Sequence, residues 1–141
     1  LQRSLEDAGH RLQERQLCPD DRYQIRRELS RWIADPAVDV VITSGGTGLT
    51  GRDGTPEAVA PLLDKTIEGF GELFRVLSFE SIGTSTLQSR CLAGVANGTF
   101  VFVLPGSLDA VTTAWNRLIR AQLDADTRPC NLAQLRARLK E

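Results

Sequence analysis

The sequence predicts an α/β domain in which a mostly parallel sheet is covered by helices on both faces. Two short apolar runs, residues 38–42 and Thr99–Leu104, are typical of buried strands. A segment with helical periodicity precedes the first run, and another follows the second. Strands that alternate with helices form parallel sheets with helices packed on each face, and this order therefore favours an α/β fold.

The first part of the chain predicts a helix end, a strand and a longer helix. Residues 1–9 predict the end of a helix, because their apolar side chains recur at helical spacing and a glycine follows. Residues 10–18 predict a half-exposed strand, and residues 19–21 a turn whose aspartates are able to cap the next helix. Residues 22–35 carry one apolar helical face, which ends before Pro36.

The rest of the chain predicts further helices around the second strand. Thr55 and Pro56 are typical of a helix start. We expect a break at residues 67–71 and a helix over residues 72–77. A helix capped by Ser85 is expected over residues 87–96, followed by a turn at Asn97 and Gly98. The last predicted elements are a helix over residues 108–123 and a short basic helix from Leu132.

Length and composition indicate a single domain over residues 1–141, with 41% hydrophobic and 25% charged residues. The formal net charge of −1 gives no basic field for nucleic acid, and no apolar stretch is long enough to span a membrane. Three widely separated cysteines favour a reducing cytoplasm over a disulfide framework. The chain has no methionine and opens inside a helical pattern, so we expect the natural N-terminus to lie upstream.

The loop after the first apolar run is the strongest functional signal. It carries four glycines between Gly45 and Gly51, hydroxyl groups, an arginine and the carboxylate of Asp53. Glycine allows positive φ and close approach of backbone N–H groups to an anion. Thr43, Ser44, Gly45, Gly46, Thr47 and Gly48 are the candidate ligands of a phosphate group. A tight connection without a ligand is the alternative interpretation of this loop.

Two common phosphate motifs do not fit this loop. A P-loop requires Lys and then Ser or Thr after its last glycine, whereas Gly51 is followed by Arg52 and Asp53. A dinucleotide-binding fingerprint is also weak, because the loop does not open directly into a helix and no acidic residue follows a second strand at the usual distance.

A second loop and a second carboxylate are expected beside the first loop. Pro105, Gly106 and Ser107 follow the second apolar strand, and parallel strands end at the same edge of a sheet. A nucleotide ligand calls for Mg²⁺, which prefers carboxylate oxygens, and Asp53 and Asp20 are the candidates. Asp20 and Ser107 could equally serve only as N-caps of the helices that follow them.

Four motifs in this order resemble one known family. The segments TSGGTGLTGRDGTPEA, EGFGELFRVLS, GTSTLQSR and VLPGS resemble the MoaB/Mog family of molybdenum-cofactor biosynthesis proteins, which bind molybdopterin. The similarity runs from Pro19 to about Asn131 and is greatest to the B-type bacterial members. It implies a three-layer α/β/α sandwich whose first strand precedes Leu1, so that we expect this strand to be missing from the sequence.

The resemblance also implies an activity, partners and a role for each candidate residue. Better studied members use Mg²⁺ and ATP to attach AMP to the terminal phosphate of molybdopterin, and they assemble as homotrimers or homohexamers. By motif, the two functional aspartates fall on Asp20 and Asp53, while the GGTG and PGS loops hold the pterin and its phosphate. Other proteins of cofactor assembly are possible partners in this family.

The sequence is therefore compatible with three functions. The first is an adenylyltransferase with Asp20 and Asp53 as catalytic and metal-binding residues. The second is a member that binds molybdopterin without turnover, as a carrier or scaffold. The third is a nucleotide-binding regulator with no link to the pterin, for which the glycine-rich loop is the only support.

Overall fold

The run TFVFVL forms strand β4 (Thr99–Leu104) at the centre of the sheet, where all six of its residues are buried. The computed structural model describes residues 1–141. Strand β1 (Val40–Ser44) pairs with β4 in parallel, and β3 (Leu92–Ala96) pairs with it on the other side in antiparallel fashion. The short strand β2 (Lys65–Thr66) lies beyond β3, so that the order is β1-β4-β3-β2.

Helices cover both faces of this sheet, and the predicted three-layer α/β/α class is confirmed. The α-helices are α1 (Gln2–Asp7), α2 (Arg22–Ala34), α3 (Thr55–Val59), α4 (Glu68–Ile82), α5 (Leu108–Ala114), α6 (Arg120–Gln122) and α7 (Leu132–Leu135). A π-helical turn (Trp115–Ile119) joins α5 to α6, and 3₁₀ turns lie at Ala60–Leu62, Gly83–Gln88 and Arg136–Arg138. None of the helices is both long enough and apolar enough to cross a membrane.

Two cores form because side chains alternate across β4. Phe100, Phe102 and Leu104 enter the core under α4 and the Trp115–Ile119 turn. Val101 and Val103 point to the other face and pack against residues of α2 and α3. The central strand is thus apolar on both faces, as expected for a strand buried between two helical layers.

The strand predicted at residues 10–18 is wrong, because this segment forms no ladder with the sheet. Its Glu14 is instead held by α2: the carboxylate accepts hydrogen bonds of 2.7 and 2.9 Å from Arg31 and one of 2.9 Å from Trp32 Nε1. A cavity of about 900 Å³ is bordered by this segment on one side and by the free edge of β1 on the other. No backbone hydrogen bond joins this segment to a strand of the sheet.

The helix predicted at residues 87–96 is also wrong, because this part of the chain forms β3 instead. Asn97 and Gly98 have φ values of +50° and +81°, which suit the two-residue turn of a β-hairpin. This hairpin makes β3 antiparallel to β4, so that one of the three strand pairs is parallel and two are antiparallel. Strand β2 had no counterpart in the sequence prediction.

The break predicted at residues 67–71 is wrong as well, because α4 begins at Glu68 and continues without interruption to Ile82. Gly71 fits inside this helix for a packing reason: a Cβ there would lie 3.0 Å from the carbonyl oxygen of Cys91. The other helices predicted around Thr55, over residues 22–35 and 108–123, and from Leu132 are confirmed to within a few residues.

Candidate functional site

The two loops predicted to share one edge of the sheet are in direct contact. Ser44 and Leu104 are register partners at the ends of β1 and β4, so the glycine loop (residues 45–54) and the PGS loop (residues 105–107) start side by side. The Gly45 N–H donates to the Leu104 carbonyl at 2.9 Å, and the Ser44 hydroxyl donates to the Pro105 carbonyl at 3.3 Å. The structure therefore brings all the predicted loop residues to one edge of the sheet, and the surface that the two loops form there is the rim.

Two glycines of the glycine loop are required by its backbone. Gly45 and Gly46 have φ values of +107° and +67°, a region that other residues adopt only with strain. A Cβ on Gly46 would also collide with the hydroxyl of Thr55, whose N–H donates to the Gly46 carbonyl at 3.0 Å. Thr47 is buried, so its side chain is less open to a ligand than the backbone around it.

The rim offers backbone donors without acceptors. The N–H groups of Gly46 and Thr47 in the glycine loop, and those of Gly106 and Ser107 in the PGS loop, donate to no acceptor within the chain. Unpaired N–H groups on adjoining loops are the usual means of holding a phosphate or carboxylate group. Four such groups on two loops in contact make this rim a candidate anion site.

Asp53 is folded back into its own loop. Its carboxylate accepts hydrogen bonds from the Thr50 hydroxyl at 2.5 Å and from the Thr50 N–H at 2.9 Å. These bonds, first the hydroxyl and then the amide, lower the pKa of Asp53 below its ordinary value, so that the carboxylate stays ionised. Gly48 leaves the room this requires, since a Cβ there would lie 2.7 Å from Asp53 Oδ2.

Asp20 is exposed, and its carboxylate makes no hydrogen bond or ion pair. The neighbouring Asp21 is the N-cap of α2, accepting from the N–H groups of Tyr23 and Gln24 at 3.0 and 2.8 Å. The capping role considered for Asp20 therefore belongs to Asp21. Asp20 lines the 900 Å³ cavity, which Asp53 does not, and no group of three or more acidic, histidine or cysteine residues is arranged to hold a metal ion.

The PGS loop leads into α5 with Ser107 as its N-cap. The Ser107 hydroxyl oxygen accepts a hydrogen bond of 3.2 Å from the Ala110 N–H, so the structural role considered for this serine is present. At the other strand end, the hydroxyl of Thr43 is buried without a hydrogen-bond partner. Of the candidate hydroxyl groups, those of Ser44 and Ser107 are already engaged within the chain as donor and acceptor respectively.

Comparison with known proteins now identifies the family. A family model described as "Probable molybdopterin binding domain" matches residues 1–125, which is most of the chain. The chain belongs to this molybdopterin-binding family. A relative from Escherichia coli (strain K12) named Molybdenum cofactor biosynthesis protein B is 56% identical over 131 residues, covering 93% of this chain and 77% of the relative. The resemblance to B-type members is confirmed.

Solved structures of family members have the same fold. A crystal structure of a Molybdenum cofactor biosynthesis protein B matches with a TM-score of 0.85 and 40% identity, over 96% of this chain and 80% of the other. The structure of a tungsten cofactor synthesizing protein MoaB from Pyrococcus furiosus matches with a TM-score of 0.65 and 43% identity, over 71% of this chain and 64% of the other. The family fold is therefore retained in this chain.

One residue near the rim was not predicted from the sequence, although it lies in one of the motifs that resemble the family. Arg90, the last residue of GTSTLQSR, is distant from the glycine loop in sequence but contacts it in the fold. Its guanidinium donates to the carbonyl oxygens of Gly48 at 2.8 Å and Asp53 at 2.7 Å, and it pairs with the carboxylate of Glu57. No spacing rule predicts such contacts, because 42 and 37 residues separate the bonded positions.

Proposed function

We propose that this protein binds molybdopterin at the rim formed by the glycine loop and the PGS loop. The observation that carries the proposal is the set of four unpaired N–H groups, those of Gly46, Thr47, Gly106 and Ser107, on two loops in contact. The terminal phosphate of molybdopterin is a dianionic acceptor that such donors recognise. The family to which the chain belongs supports the choice of the pterin over other phosphates.

We further propose that the bound pterin is adenylylated. An oxygen of the terminal phosphate of molybdopterin attacks the α-phosphorus of ATP, a new P–O–P bond forms, and the bond between the α- and β-phosphates breaks to release pyrophosphate. Such a transfer needs positioned reactants and neutralised charge more than covalent help from the protein. The two loops supply the positioning, and Asp53 supplies an ionised carboxylate beside the rim.

The carboxylates present fit Mg²⁺ that arrives with the nucleotide. Mg²⁺ keeps several waters and takes one or two protein carboxylates together with substrate phosphates, so it does not require a cluster of three acidic residues. Asp20 has a free carboxylate, and both Thr50 donors to Asp53 go to Oδ2, which leaves Oδ1 without a bond from Thr50. When bound, the ion would neutralise charge on the phosphates of ATP.

A non-catalytic carrier of molybdopterin is the second candidate function. The observation that favours it is the pair of Thr50 bonds to Asp53, because a carboxylate that only braces the loop would have the same contacts. The carrier would use the same N–H groups for the pterin phosphate and would have no site for the nucleotide.

A sequential calorimetric titration separates the two candidates. Molybdopterin is titrated first, and Mg-ATP is then titrated into the loaded protein. The adenylyltransferase binds both, and its second step disappears when Mg²⁺ is replaced by excess chelator. Pterin binding without a Mg-dependent ATP step supports the carrier. Absence of pterin binding contradicts both candidates and favours the nucleotide-binding regulator.

We also propose that the protein assembles into a homotrimer or homohexamer through α4. Large apolar side chains recur at every third position of this helix and are half or more exposed: Leu73 is 55%, Val76 is 63% and Phe79 is 57% exposed. An exposed apolar stripe of this kind usually marks a contact surface. A second copy of the chain is the partner that the family's assembly implies.

A further inference from the structure

Arg90 ties three parts of the candidate site together. It follows the 3₁₀ turn Gly83–Gln88 and stands just before β3, so its backbone belongs to the body of the domain. From there its Nε–H donates to the Gly48 carbonyl, one NH₂ group donates to the Asp53 carbonyl, and the other pairs with Glu57 at the start of α3. Three donors of one planar group thus hold two points on the irregular glycine loop and one point in the first turn of α3.

The charge of Arg90 is already neutralised within the protein. The Glu57 carboxylate pairs with the guanidinium, and this hydrogen bond is the main reason that the pKa of Glu57 lies below its ordinary value. The Arg90 side chain is 28% exposed, and each of its three nitrogen positions has a partner in the chain. An arginine whose three nitrogen atoms each already bond a carbonyl or carboxylate group is poorly placed to bind a ligand phosphate itself.

We infer that Arg90 is a positioning residue of the rim, which fixes the glycine loop in the shape that presents its free N–H groups and Asp53 to the ligand. Holding the Gly48 and Asp53 carbonyls fixes both ends of the turn that Thr50 and Asp53 close by their mutual hydrogen bonds. Glu57 belongs to the same unit, since it orients the guanidinium. The part of this inference that concerns ligand binding rests on the proposed function.

Lysine replaces this arginine only in part. An ammonium group is a compact charge without the planar fork that spans two carbonyls and a carboxylate at once. Arg90→Lys therefore keeps the charge but loses at least part of the geometry, whereas Arg90→Met keeps only the apolar stem of the side chain. Glu57→Gln keeps an acceptor but removes the charge that neutralises the guanidinium.

The test combines hydrogen exchange of the unliganded protein with ligand titration. Three amides report on the loop, because the N–H groups of Thr50, Asp53 and Thr55 are bonded within it. In Arg90→Met we expect these amides to exchange at least about tenfold faster, as the loss of bonds from a charged donor implies. The amides of β4 should exchange as in the wild type. Arg90→Lys should lie between the two, and Glu57→Gln should show a smaller effect of the same sign.

The matched control is Arg117→Met, which breaks an exposed surface ion pair with Glu80 at 3.8 Å, outside the rim. It should leave the exchange of the loop amides unchanged. Equal acceleration in the loop and in β4 would mean that Arg90 only stabilises the domain, and unchanged loop exchange in Arg90→Met would mean that it does not position the loop. Either result overturns the inference.

Titration of the same variants with molybdopterin then tests the link to binding. We expect the Kd to rise at least about tenfold in Arg90→Met, less in Arg90→Lys and not at all in Arg117→Met. Faster loop exchange with an unchanged Kd would overturn the role of Arg90 in ligand binding. If the wild-type protein binds no molybdopterin, the proposed function fails, and the exchange data alone still decide whether Arg90 positions the loop.

Discussion

Gly106 lies directly against Gly45: a Cβ on Gly106 would come 3.3 Å from the Gly45 Cα. At this point the two loops of the candidate site touch through backbone alone, because neither residue has a side chain. This contact sets the distance between the free N–H groups of the glycine loop and those of the PGS loop.

Substitution of Gly106 tests this contact. Gly106→Val places a branched side chain between the loops, so we expect the Kd for molybdopterin to rise at least about tenfold. The melting temperature should change little, because Gly106 is exposed. The control is Gly51→Ala in the neighbouring loop, where a Cβ would meet no atom within 4 Å. Equal Kd values for the two variants in calorimetric titration would count against a shared two-loop site.

The bonds from Thr50 to Asp53 predict the ionisation of that aspartate. Thr50→Val removes the hydroxyl donor but keeps the amide donor, so the pKa of Asp53 should rise toward its ordinary value of 3.8. A pH titration followed by the NMR signal of the Asp53 carboxyl carbon measures this change. Thr112→Val on the exposed side of α5 is the control and should leave the pKa unchanged. A pKa unaltered by Thr50→Val would show that the hydroxyl bond is not maintained in solution.

The tether between Glu14 and α2 predicts a pH-dependent stability. Hydrogen bonds from Arg31, and next from Trp32, lower the pKa of Glu14 from 4.5 to about 2. Because the pKa of Glu14 is lower in the folded state, the tether contributes fully to the stability of the fold above pH 4.5. This contribution is lost as the pH falls toward about 2. The difference in melting temperature between the wild type and Glu14→Gln should therefore be constant near neutral pH and shrink in acid. A difference independent of pH would contradict the ionised tether.

The exposed stripe on α4 predicts an effect on assembly. Val76→Glu places a charge in the middle of the stripe, so we expect a shift from trimer or hexamer to monomer in light scattering. Leu135→Glu, at another exposed apolar position, is the control and should leave the assembly unchanged. A monomeric wild-type protein would contradict the proposal for α4, and an unchanged assembly in Val76→Glu would assign the contact to another surface.

The sequence was sufficient for the parts of the fold that carry strong local signals. The TFVFVL run predicted β4, and the glycine and proline residues after β1 and β4 predicted both loops of the rim. Strand β3 was missed because Ala93 and Gly94 lack the β-branched or aromatic character of a typical strand. A small residue is required at position 94, where a Cβ would lie 2.6 Å from the Lys65 carbonyl oxygen.

Other features depend on long-range contacts that local patterns do not encode. Residues 10–18 have the composition of a half-exposed strand, but strand formation requires a neighbour, and this segment faces a cavity instead. Arg90 reaches the glycine loop across 42 positions of the chain. The sequence also did not decide whether Asp20 or Asp21 caps α2, because both aspartates precede the helix and either side chain could accept the bonds.

Pyrophosphate release is the measurement that tests the proposed adenylyl transfer most directly. Purified protein is supplied with molybdopterin and Mg-ATP, and the wild type is compared with Asp53→Asn, which keeps one oxygen acceptor for Thr50 but removes the charge. We predict release by the wild type that depends on both substrates, and loss of release in Asp53→Asn with molybdopterin binding retained. No release from the wild type, or an unchanged rate in Asp53→Asn, would contradict the catalytic role assigned to this carboxylate.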